Sequence, residues 1–229
     1  MAVGSVNGVA PASVVSALYL RTKALHLEAE KSGIISDILH GAASRESYAL
    51  LLRNLHAAYR EIEAGIARHR DSRGLAPLAA YKLDRTSAIE SDLTALCGAD
   101  WARTIPLLPT GEAYARRVAE VAQGDGARLI AHAYTRYLGD LNGGSLLARL
   151  LAKTLGMQPD ELSLYDFSGV SDPATLKNDY RQALEQAGAA AADPGAIIEE
   201  GALAFSLNIA LSVAVQLQAQ TGATALHAQ

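Results

Sequence analysis

Apolar residues return at three- and four-residue steps through one long segment after another of this 229-residue chain, and no segment shows convincing strand alternation. Val14, Val15, Leu18, Thr22, Leu25 and Ala29 give a first helix one buried face, with Ser13 suited to its N-cap and Gly33 to its stop. Tyr48, Leu51, Leu52, Leu55, Tyr59, Ile62 and Ile66 do the same for a second helix over residues 45–70. Ile89, Leu93 and Leu96 mark another, ending at Cys97-Gly98. Pro106 and Pro109 predict an extended link before a helix over residues 112–123. After Gly124-Asp125-Gly126 a long helix is predicted over residues 127–155, then a loop over 156–173. Asp172-Pro173 and Asp193-Pro194 each combine an N-cap with proline at the first helical position, opening helices to about residues 186 and 220. The expectation is one all-α multi-helix bundle over residues 13–220, with a flexible N-terminal arm over 1–12 and a C-terminal tail over 221–229.

Half of the residues are hydrophobic and 19% are charged, which supports one sizeable core. A net charge of −4 provides no field that would favour nucleic acid or an anionic membrane. The single cysteine, Cys97, excludes an intramolecular disulfide and a cysteine-based metal cluster, and fits a reducing compartment. The N-terminus lacks the basic start and apolar stretch of a signal peptide. The apolar residues 202–215 are interrupted by Ser206, Asn208 and Ser212, and so read as a buried helix. These features predict a cytoplasmic protein with no membrane anchor and no nucleic-acid partner.

The segment Tyr137-Leu-Gly-Asp-Leu-Asn-Gly-Gly-Ser145 breaks the helical logic around it, because Gly139, Gly143 and Gly144 lie inside strong periodicity. Each interior glycine costs about 1 kcal/mol relative to alanine, so something needs the absence of side chains. Gly139 and Gly143 are four apart and share a face. Two accounts stand: close helix packing or a helix end at Ser145, and a flat ligand lying against a kinked backbone. Asp140 sits beside that face, where a buried acid needs partners; Arg136 is one turn earlier, and Tyr59 is available from another helix. A surface pair between Arg136 and Asp140 is the simpler account of those two.

Of the six histidines, His26 stands at the border of the first helix's apolar face, with Glu30 one turn on. A carboxylate there suits the imidazole nitrogen not used for a metal, although packing alone also explains such a histidine. No other histidine forms a zinc or di-iron spacing with it, so a metal on His26 points to a porphyrin that brings the remaining ligands. Lys23, three residues before His26, and the pair Lys177 and Arg181 offer cations for carboxylates, or a solvated basic face.

Leu129-Ile-Ala-His-Ala-Tyr-Thr-Arg-Tyr-Leu-Gly-Asp-Leu-Asn-Gly-Gly144 resembles the signature of the haem oxygenase family, with Asn142 where that family commonly has serine. Thr22-Lys23-Ala-Leu-His26-Leu-Glu-Ala-Glu30 resembles its proximal helix, and Leu55-His-Ala-Ala-Tyr59 and Ala204-Phe-Ser-Leu-Asn208 fall into register. The resemblance implies a haem-oxygenase-like bundle with haem between a proximal helix and a kinked distal helix. His26 would be the iron ligand, oriented by Glu30. Gly139, Gly143 and Gly144 would lie against the macrocycle. Asp140 would organise proton delivery with Arg136 and Tyr59, while Lys23, Tyr134, Lys177 and Arg181 bind the propionates. The implied reaction cleaves haem, as both substrate and cofactor, to biliverdin, CO and ferrous iron. It uses O2 and electrons from a ferredoxin, a flavodoxin or an NADPH-dependent reductase, and a biliverdin-using protein would take the product. A non-catalytic haem carrier is the alternative, and Asp140 argues against it; a thiaminase-like helical enzyme leaves His26-Glu30 and the glycines unexplained. Tyr19 replaces a common first-helix lysine, and Ile38 and Ser212 replace usual aromatics. The resemblance therefore does not carry over the seating of haem or the carbon attacked.

Overall fold

Ser13 begins the first helix as its side chain accepts from the Ser16 N–H, and the helix ends where Gly33 turns the chain with φ 61°. The computed structural model describes residues 13–170 and 172–227. The expected flexible arm, residues 1–12, lies outside them. The helices are α1 (Val14–Glu30), α2 (Gly33–His40), α3 (Arg45–Arg68), α4 (Ala76–Ala79), α5 (Thr86–Cys97), α6 (Trp101–Thr104), α7 (Pro109–Val121), α8 (Leu129–Ala133), α9 (Gly139–Leu155), α10 (Pro173–Ala189) and α11 (Pro194–His227). Among the described residues there is no strand, so the fold is all-α.

Helix α3 is the axis of the bundle. A capping box at Ser44 and Ser47 starts it, and Tyr48, Leu52, Ala58, Tyr59 and Ile62 are fully enclosed by α5, α7 and α11. Helix α11 packs along α1, α2, α7 and α8. It is long and apolar enough to cross a membrane; Ile197, Leu211 and Val215 on it sit in the core, while Leu203 and Leu217 are exposed. It continues past residue 220, where the sequence pattern fades. Two glycines let α1 press against its neighbours: a Cβ on Gly201 would lie 2.4 Å from Leu18, and one on Gly188 would lie 2.7 Å from Val14.

The expected long helix over residues 127–155 is interrupted, though not at its glycines. The ladder widens to a π-helical turn over Tyr134–Leu138, with the Thr135 hydroxyl donating to the Ala131 carbonyl at 2.9 Å. Helix α9 then runs unbroken through Gly143 and Gly144, so no new helix begins at Ser145. Such turns cluster at functional sites because they re-aim the side chains that follow. The expected loop after α9 holds two short 3-10 turns, Pro159–Glu161 and Ser163–Tyr165, the second anchored when Asp92 accepts from the Ser163 and Leu164 N–H groups at 2.7 and 2.9 Å. Pro109 opens α7 rather than belonging to an extended link, since proline at a first helical position forfeits no intrahelical bond.

Candidate functional site

A cleft runs between α1 and α9, with an outer compartment of about 390 Å³ and an inner one of about 210 Å³. His26, Thr135, Gly139 and Phe205 line both compartments and make them one space. Its size falls in the range of roughly 300–1,000 Å³ usual for small-molecule sites.

One wall carries His26. Its Nδ1 lies 3.4 Å from Glu30 Oε1, and its ring lies 5.8 Å from that of Phe205. With Glu30 beside Nδ1, Nε2 is the nitrogen left for a ligand. Among the described residues no group of three or more His, Cys, Asp or Glu side chains forms a cage for a bare metal ion. A metal on His26 must therefore bring most of its own ligands.

The other wall is almost bare backbone. A Cβ built on Gly139 or on Gly143 would meet nothing within 4 Å, so both glycines open onto the cleft. Gly144, expected to share that wall, has different surroundings. A Cβ there would lie 2.7 Å from the Tyr165 ring, and Gly144 lines neither compartment. Its missing side chain serves packing, because the turn after α9 brings Tyr165 beneath the helix.

Behind the glycine wall lies a buried polar network. The Tyr59 hydroxyl donates to Asp140 Oδ2, and Arg136 donates to the same hydroxyl at 2.9 and 3.1 Å and to Asp140 Oδ1 at 3.2 Å. Arg136 also donates to Asn208 Oδ1 at 3.0 Å, and Asn208 donates to the Tyr114 hydroxyl at 3.0 Å. Asp140 is thus no surface acid. Burial pushes its carboxyl up, against the opposing pull of the Arg136 charge and the Tyr59 hydrogen bond. Burial likewise pushes the Tyr59 phenol well up, and that of Tyr114 to about 12. The result is one carboxyl at the cleft that can hold or release a proton, fixed in place by a phenol and a guanidinium.

The outer compartment has a cationic mouth. Lys23 and Tyr134 line it together with Tyr19 and Asn142. Burial raises the Tyr134 phenol while a hydrogen bond with Thr22 and the charge of Arg181 pull it back, which places Arg181 near the mouth. Arg181 and Lys177 are exposed on α10 and line neither compartment. Sequence reasoning assigned no role to Asn208, Tyr114, Thr135 or Phe205. Asn208 carried the best signal, a polar residue inside an apolar run, where a buried amide demands partners.

These features fit haem: an imidazole on one wall, side-chain-free backbone on the other, a cationic mouth and a buried acid. A family model described as "Heme oxygenase" matches residues 12–214. Heme oxygenase 1 of Nostoc sp. is 32% identical over 198 residues, covering 86% of this chain and 83% of that protein. Heme oxygenase 1 of Homo sapiens is 32% identical over 204 residues, covering 88% and 71%. The crystal structure of heme oxygenase-1 from Synechocystis sp. in complex with heme superposes with a TM-score of 0.85 at 30% identity, covering 94% of this chain and 99% of that one. Heme oxygenase from Leptospira interrogans gives a TM-score of 0.82 at 26% identity, covering 88% and 98%.

Proposed function

The chain belongs to the haem oxygenase family and is an enzyme of haem cleavage, and from that premise we propose that the cleft between α1 and α9 holds haem while it is opened to biliverdin, CO and ferrous iron. The observation that carries this placement is the pair Gly139 and Gly143, whose missing side chains leave open space on the wall across from His26. Haem bound there is both the substrate and the source of the metal at which O2 and external electrons react.

His26 supplies an imidazole nitrogen to the iron, and Glu30 holds the ring's other nitrogen and so fixes its orientation. Lys23 and Tyr134 take propionate oxygens at the mouth. Arg181, with Lys177 one turn before it, adds positive charge from α10. Gly139 and Gly143, with no side chain in the cleft, would let the α9 backbone lie close to the macrocycle.

Asp140 holds and delivers protons on the distal side. Its Oδ2 accepts from Tyr59 and its Oδ1 from Arg136, so the carboxyl is aimed before the reaction begins. A haem carrier needs His26 and the cations but has no use for this network, which favours the enzyme over a carrier. Electrons come from a ferredoxin, a flavodoxin or an NADPH-dependent reductase, and a biliverdin-using protein takes the product. The single exposed cysteine and this need for reductant support a cytoplasmic setting.

Adding haemin to the purified protein, then an electron donor and O2, tests the reading through the absorption spectrum. Loss of the Soret band with formation of a bilin is expected. A haem complex that never yields a bilin with a competent donor overturns it.

A further inference from the structure

The corner between α1 and α2 is capped from a third helix. Ser32 is the N-cap residue of α2, yet its side chain accepts no N–H of that helix. Its hydroxyl donates backwards to the Glu28 carbonyl at 2.7 Å, which the Lys31 N–H also reaches at 3.0 Å. The cap of α2 comes instead from Ser212 on α11. The Ser212 hydroxyl accepts from the Ile35 N–H at 3.3 Å and donates to the Ser32 carbonyl at 3.3 Å. The first N–H groups of a helix have no partner within it, so Ile35 needs such an acceptor. One hydroxyl, 4% exposed, thus holds both sides of the corner.

Close packing makes that reach possible. Gly33, at φ 61°, lies so near α11 that a Cβ on it would fall 2.4 Å from the Ser212 carbonyl carbon and from its hydroxyl. One turn further along α11, Gln216 donates to Asp37 Oδ1 at 2.8 Å, a second tie to α2. With α2 fixed on α11, the last turn of α1 is pinned through Ser32. That turn ends at Glu30, and Ser212, Glu30 and His26 line the same inner compartment. Glu30 needs the hold. Its side chain is 49% exposed, and His26 Nδ1, at 3.4 Å, is its one ion-pair or hydrogen-bond partner among the described residues. A half-exposed pair at a helix end has little strength of its own.

We propose that Ser212 is a positioning residue for the iron ligand. By holding Ser32 it fixes the last turn of α1, which keeps Glu30 beside His26 Nδ1 and so keeps the imidazole a strong ligand through its other nitrogen. The proposal rests on His26 binding haem iron. Ser212 touches no reacting atom and acts through Ser32 and Glu30. Capping of α2 alone would alter stability and leave the iron–imidazole bond unchanged.

The test records the iron–imidazole stretch of the ferrous haem complex by resonance Raman spectroscopy, with urea unfolding measured alongside. Absence of the stretch in the native protein overturns the haem reading and the proposal with it; its presence leaves the variants to judge Ser212. Ser212→Ala is expected to move the stretch to lower frequency, towards its position in Glu30→Ala. The double variant should coincide with Glu30→Ala, because the two residues act in series. Ser32→Ala, which frees the Glu28 carbonyl, should also lower the frequency and serves if Ser212→Ala does not fold. A folded Ser212→Ala protein with the native frequency overturns the proposal, even if it is less stable. A double variant shifted beyond Glu30→Ala overturns the route through Glu30.

Discussion

Three glycines close together in α9 do two different jobs, and their substitutions separate them. Gly139→Ala adds a methyl that meets nothing, so the free protein gains up to about 1 kcal/mol of helix propensity. The same methyl enters the cleft, and haem affinity falls by about tenfold or more. Thermal unfolding and haemin titration should thus move in opposite senses. Gly144→Ala pushes a methyl against the Tyr165 ring and costs about 1–3 kcal/mol of stability. A Gly139→Ala variant that binds haem as tightly as the native protein would contradict the placement. Asp140 supplies a second expectation at this scale. Asp140→Asn keeps the shape and removes the ionisable group, so haem still binds while the rate of bilin formation drops by about a hundredfold or more. Bilin formation at the native rate would remove Asp140 from proton delivery. The sequence showed that glycines stood where helix energetics disfavour them. Which of them faced a ligand depended on Tyr165, whose position is set by a turn that Asp92 anchors from another helix.

At the scale of elements, the long amphipathic helices were legible because each has one apolar face and a local stop. Ser13 and Asp172 cap their helices through their own side chains, a signal contained within a few residues. The short helices α2, α4 and α6 were not read, since four to eight residues give too few turns for periodicity to register. The π-helical turn was invisible for a different reason. Its residues have ordinary helical periodicity, and the widened ladder is held by tertiary partners. Immediately before it, His132 Nε2 lies 3.1 Å from Glu200 Oε1 on α11, and Arg117 on α7 holds the same carboxylate at 2.6 and 3.0 Å. That buried triad clamps α7, α8 and α11 where the chain enters the distal wall.

At the scale of the whole molecule, that clamp is expected to make stability depend on acid. Burial alone would raise the Glu200 carboxyl, but His132 and Arg117 outweigh it and hold it at about 2, against an ordinary 4.5. A carboxyl depressed by folding adds stability that is fully present above its unfolded value and is lost as pH falls through its folded one. Glu200 should therefore contribute on the order of 3 kcal/mol at neutral pH, disappearing between about pH 4.5 and 2. Denaturant titrations across that window should show the loss, and Glu200→Gln should be less stable at pH 7 yet flatter in acid. A variant with the native acid slope would mean that another group governs it.

The central claim is that His26 on α1 is the residue through which this bundle holds haem iron. Resonance Raman spectroscopy of the ferrous haem complex reads that bond directly. The native protein should show an iron–imidazole stretch, His26→Ala should lack it, and free imidazole added to the variant should restore it. A His26→Ala complex that keeps the native stretch without added imidazole would contradict the account.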